Sequence, residues 1–178
     1  MQKSHLGIIV AIAIAIFAAI LGAQGNKPAS PPGEATLKFD DGKTVTIQYS
    51  RPSMRGRKIF GGLVPYDEVW RTGANSATSL KTDVDLNIGG ANVPAGSYTL
   101  YTLPGASSWK LIINKQTGQW GTEYSQSQDL ARVDMKVGQL PSALEQFTIS
   151  FDKTGGSGAT LKLEWANTMA SVDVKEKK

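Results

Sequence analysis

The sequence predicts an all-β fold, an antiparallel β-sandwich of about nine short strands. Three observations predict it. Short runs of alternating apolar and polar residues recur at a spacing of roughly 8–12 residues. Between them lie Gly, Pro, Asn and Asp, the residues that turn a chain tightly. Beyond the first 25 residues no segment keeps a helical period for ten residues. The regularity fails once, over Ser50–Leu80, which reads as a long, ordered loop region rich in arginine.

In chain order, Met1–Gly25 reads as a signal peptide or an uncleaved anchor. Lys3 opens it, Leu6–Ala23 is uncharged and apolar, and Ala23-Gln24-Gly25 offers small residues to a signal peptidase. A periplasmic or secreted location is expected, with membrane contact only if the segment stays uncleaved. Asn26–Glu34 reads as a polar, Pro-rich linker. A single β-sandwich domain is expected over 35–176. Leu37 and Phe39 alternate before the hairpin signal Asp40-Asp41-Gly42, and Val45, Ile47 and Tyr49 alternate after it. Thr78–Thr82, Val84–Ile88 and Ser97–Leu103 read as extended, and Trp109–Asn114 as a central strand. Gln116–Ser127 is a polar loop. Arg132–Val137 and Phe147–Phe151 read as separate strands; Leu161–Trp165 and Val172–Val174 close the series. Val45, Ile47, Leu111, Ile113, Val133, Phe147, Ile149, Leu161 and Leu163 are expected to share one core. A one-turn helix is expected at Pro65–Trp70, with Pro65 at its first position.

Composition narrows the chemistry. Cysteine is absent, which removes disulfides, thiolate catalysis and zinc-thiolate sites. The one histidine, His5, lies in the N-terminal segment, so a cleaved chain has no Ser-His-Asp triad. No metal, no cofactor and no catalytic residue is assigned. The net charge of +4 is mild and its lysines are scattered, so no nucleic-acid partner is expected.

Four of the five arginines, Arg51, Arg55, Arg57 and Arg71, fall within 21 residues. A guanidinium is a planar fork of donors that suits carboxylate or phosphate. The competing reading is that the arginines staple the loop to the sandwich. Arg71, beside Trp70, is expected to be the buried staple, and Arg51 or Arg57, beside Pro and Gly, the ligand group. Gly73-Ala74-Asn75-Ser76 reads as a sharp turn that could present backbone N–H groups to an anion. Trp109 and Trp165 read as core, whereas Trp120, in a polar loop, is the candidate stacking platform. The candidate ligand-binding set is Arg51, Arg57, Arg71, Asn75 and Trp120. The partner expected is a glycan or an anionic small molecule. The function expected is a non-enzymatic envelope binding module; the alternatives are a carboxylate-dependent hydrolase and a purely structural β domain.

The string SRPSMRGRKIFGGLVPYDEVWRTGAN, with PAGSYTLYTLPG and WKLIINKQTGQWG downstream, resembles a family of exported bacterial proteins catalogued as domain of unknown function 2911. The resemblance runs from about Val45 to Val174. It implies an exported β domain and no particular activity. It makes Arg51, Pro52, Gly56, Arg57, Trp70, Arg71, Gly73, Asn75 and Trp120 this chain's copies of the family's motif positions.

Overall fold

The computed structural model describes residues 29–177. The N-terminal segment read over 1–25 and the start of the linker lie outside the described residues. Nine strands follow: β1 (Pro32–Lys38), β2 (Thr44–Ser50), β3 (Thr78–Thr82), β4 (Leu86–Ile88), β5 (Ala91–Val93), β6 (Gly96–Pro104), β7 (Trp109–Asn114), β8 (Asp129–Gly155) and β9 (Gly158–Glu176). β1 begins inside the stretch read as a linker. All neighbours are antiparallel, in the order β1-β2-β3-β6-β7-β8-β9-β4-β5.

The alternation dictates these strands and the side they bury. On β2, Val45, Ile47 and Tyr49 point inward and Gln48 outward. Every one of the nine residues expected to share a core is buried in a single apolar cluster. The sheet does not close into a barrel. It folds back on itself through β8, which runs for 27 residues and belongs to both halves. Its first part pairs with β7 and its remainder with β9. Here the structure differs from the sequence reading, which placed two strands where there is one. Gly138 to Gln146 looks like a break, because Pro141, Ser142 and Ala143 carry no alternation. The register shifts there instead, between Gln139 and Leu144 and again between Leu144 and Thr148. Extra residues of that kind bend a strand without ending it.

The fold-over brings β8 beside the end of β2, and the two are sewn together. Tyr49 Oη accepts from Ile149 N at 2.9 Å. Phe147 N donates to Pro52 O at 2.9 Å, and Met54 N to Glu145 O at 2.8 Å. Arg51 crosses this seam: its Nε donates to Phe147 O at 3.2 Å and its Nη2 to Thr148 Oγ1 at 2.9 Å. The arginine stem lies on Gly33 of β1, where a Cβ would come within 2.7 Å of Arg51 Cδ.

No named strand lies between Ser50 and Thr78. Isolated bridges tie the stretch down: Ser53 to Gln146, Trp70 to Thr102, and Ser76 to Trp120. Ile59, Phe60 and Val64 are buried in the main core, where Phe60 meets Trp109 at 4.7 Å between ring centroids. Trp70 packs on Phe147 at 5.0 Å and stacks on Trp165 at 5.9 Å. Edge and offset aromatic contacts of this kind add to plain burial. The helix expected at Pro65–Trp70 is absent. Asp67 takes a left-handed φ of 61°. Asp67 N donates to Pro104 O and Trp70 N to Thr102 O, both at 2.8 Å. The backbone there pairs with β6 rather than with itself.

Because Arg51 supplies two hydrogen bonds from a charged group, Arg51→Ala should cost on the order of 2 kcal/mol. That lowers the melting temperature by about 4–8 °C in a domain of this size. Calorimetry of the full chain checks this, and an unchanged melting temperature would remove Arg51 from the seam's support.

Candidate functional site

The loop stretch, the end of β6 and the polar loop after β7 together wall an open cleft of about 490 Å³. That is within the range of small-molecule sites, roughly 300–1,000 Å³. Arg55, Arg57 and Arg71 line it with Asn75, and Leu63, Val64, Val69 and Trp70 give it an apolar side. Tyr101 and Tyr124 form part of the wall. Among the described residues no Asp or Glu lines it.

Arg71 is placed by its neighbours. Thr72 is fully buried and has a φ of 53°, a left-handed backbone that a β-branched residue seldom adopts. Its surroundings hold it there. Thr72 Oγ1 bonds Thr102 Oγ1 at 3.1 Å, and Thr78 Oγ1 donates to Thr72 O at 2.8 Å. Asn75 is also left-handed, at φ 59°, and its carbonyl accepts from Gly121 N at 3.1 Å. Such strain persists only where the surroundings over-determine it. Gly121 lies directly under Arg71: a Cβ there would meet Arg71 Cδ at 2.6 Å and Asn75 O at 2.7 Å.

The four loop arginines divide by what their forks meet. Arg51, read as a ligand group, is the staple in the β2–β8 seam and does not line the cleft. Arg57 lines the cleft, but its Nε donates to Met54 O at 2.9 Å and its Nη2 to Ser53 O at 2.7 Å. It holds its own loop while standing in the cleft wall. Arg55 Nη2 reaches Ala29 O at 3.4 Å. Arg71, read as the staple, has no hydrogen-bond or ion-pair partner among the described residues. Among the described residues no carboxylate pairs with it, whereas the forks of Arg51 and Arg57 find protein oxygens.

Of the other sequence candidates, Asn75 lines the cleft, with its amide 3.5 Å from Ser50 Oγ. Trp120 is half exposed and is not part of the lining, although Gly121 and Thr122 beside it are. The structure thus brings together Arg57, Arg71 and Asn75, and leaves Arg51 and Trp120 outside. Sequence reading missed Arg55, Tyr101, Tyr124 and Gly121 as cleft residues. Only Arg55 carried a signal, its place in the arginine run.

The fifth arginine fixes the wall. Arg132 Nε pairs with Asp129 at 2.8 Å, and Tyr124 Oη donates to the same carboxylate at 2.7 Å. Burial pushes the Tyr124 phenol up from its ordinary value, and the Asp129 carboxylate adds to the rise. Burial raises Tyr101 as well. Among the described residues no group of three or more His, Asp or Glu gathers as a metal site.

A family model described as "Protein of unknown function (DUF2911)" matches residues 30–174. Among curated proteins and solved structures no match was found.

Two outcomes follow from this geometry. Arg71→Ala should change stability by less than about 1 kcal/mol, as for a surface residue, and thermal melting beside Arg51→Ala checks the contrast. The raised tyrosines give a pH dependence. A group whose folded value lies above its unfolded one stabilises fully below the unfolded value and loses that contribution as pH rises. The melting temperature should therefore fall as pH climbs past about 10, the ordinary tyrosine value. Tyr124→Phe should make that decline shallower.

Proposed function

We propose, for a chain that belongs to the DUF2911 family, that it is an exported, non-enzymatic binding module whose cleft takes an anionic or polyhydroxylated envelope ligand. The observation that carries this is the balance of charge in the cleft: among the described residues it is lined by three arginines and no carboxylate, and one of the three, Arg71, has no protein acceptor. Cations gathered without counter-charges repel one another, so a bound anion is stabilised by all three. A purely structural role accounts for Arg51 and for much of Arg57, whose forks meet the protein's own oxygens, but leaves Arg71 idle. A hydrolase working through paired carboxylates finds no such pair in this lining. Export is supported by Lys3, the apolar run Leu6–Ala23 and the small residues Ala23 and Gly25.

A thermal-shift screen of the full chain against organic anions, peptidoglycan fragments and neutral glycans tests the binding role. A ligand at a hundred times its Kd should add about 2.7 kcal/mol, or several degrees. The gain should vanish in Arg71→Gln. A shift that persists in Arg71→Gln would move the binding site elsewhere. For export, N-terminal sequencing should find a chain starting near Asn26 outside the cytoplasm; an intact Met1 in the membrane fraction would speak for an anchor.

A further inference from the structure

Arg71 and the turn that follows it form the most donor-rich part of the cleft. Gly73, Ala74 and Asn75 line the cleft alongside Arg71. The backbone N–H groups of these three residues donate to no acceptor among the described residues. Of their carbonyls, Asn75 O is taken by Gly121 N, and those of Gly73 and Ala74 accept from no donor among the described residues. Left-handed φ at Thr72 and Asn75 breaks the regular run of the backbone on both sides of Gly73 and Ala74. Successive N–H groups in such turns make concave anion sites. Buried backbone donors nearly always find partners, and Gly73 is buried.

The charged side chains of the lining are all donors. Neutral sugars present hydroxyls that both donate and accept, so a sugar site needs acceptors as well as donors. Among the described residues no carboxylate lines the cleft, and the acceptors there are neutral ones, among them those of Ser30, Ser53, Thr122 and Asn75. Next to the donors stands an apolar side made by Leu63, Val69 and Trp70, and Leu63 is 46% exposed.

We infer that Arg71 with the Gly73–Asn75 turn is an oxyanion subsite, and that the cleft takes an organic carboxylate or phosphate ester with an apolar body rather than a neutral glycan. The inference rests on the binding role proposed above and narrows its ligand class. Arg71 supplies the fork and the turn supplies neutral donors. The apolar side covers the rest of the ligand. Gly121 is a positioning residue: it lets the Arg71 stem lie against the backbone at 2.6 Å from where a Cβ would stand. Both candidate heads, carboxylate and phosphate, share the chemistry that the subsite reads.

The test uses three phenyl compounds with different heads, and one head without the body. The full chain is titrated by calorimetry with phenyl phosphate, phenylacetate, phenyl β-glucoside and inorganic phosphate. Phenyl phosphate or phenylacetate should bind at least about tenfold more tightly than phenyl β-glucoside, and more tightly than inorganic phosphate, which lacks the body. Added salt should weaken the aryl anions and leave the glucoside alone. Arg71→Gln should lose at least about tenfold, the loss of one charge-assisted hydrogen bond. Gly121→Ala should lose a similar factor while the chain still melts cooperatively. Equal or tighter binding of the glucoside would overturn the oxyanion subsite and leave a binding cleft standing. Binding of no probe, together with no response to neutral glycan oligomers, would remove the binding role itself. Aryl-anion affinity unchanged in Arg71→Gln would take the subsite away from Arg71.

Discussion

The structure depends on the seam between Tyr49–Met54 and Glu145–Ile149. A nine-stranded sheet buries one face only if it folds back on something, and here it folds on itself. Apolar burial drives the halves together but is not directional. The seam supplies the direction. Tyr49 Oη, Pro52 O and Met54 N each meet a backbone partner on β8, and Arg51 adds two more bonds while its stem covers Gly33. These contacts fix where the chain leaves β2, and hence where the loop with the other arginines begins. The bend that allows them is the shifted register in β8 near Leu144.

From that anchor the cleft follows. The loop cannot run freely, because Ile59, Phe60 and Val64 are drawn into the core among Trp70, Trp109 and Trp165. What stays outside carries the cations, together with the exposed Leu63 and Tyr66. Arg57 closes on the carbonyls of Ser53 and Met54, which keeps the loop compact. Arg71 is carried to the cleft wall by a strained threonine that its neighbours hold in place. Strain of this kind costs roughly 1–3 kcal/mol per residue, a notable fraction of a typical stability of about 5–15 kcal/mol. A relaxed backbone at Thr72 would turn the Arg71–Asn75 segment to a different course.

Much of the fold was legible because it is written locally. Alternation in Val45–Tyr49 and Leu161–Trp165 names both the strand and its buried side, the apolar run in Trp109–Asn114 names a strand buried on both faces, and the Asp40-Asp41-Gly42 hairpin turn is visible in three residues. The single long β8 was not legible, since a bulged strand with a proline looks the same as two strands with a loop. The helix expected at Pro65–Trp70 failed for a related reason: acceptors on β6, more than thirty residues away, outbid the local ones. The arginine cluster was legible as a cluster, but not the role of each member. Whether a guanidinium meets an oxygen is decided by the other chain segment: Arg51 meets residues almost a hundred positions away. Proximity to Trp70 suggested burial for Arg71, yet Trp70 stacks on Trp165.

The division of labour between Arg51 and Arg71 is most directly tested by the Nε–H resonances of the arginine side chains. Proton exchange at Arg51 Nε–H should be slow and its resonance unmoved by phenyl phosphate, because that proton is held by Phe147 O. Arg71 Nε–H should exchange fast in the free chain and slow and shift when the anion is added. A protected, unresponsive Arg71 beside an Arg51 that responds to the anion would contradict the division.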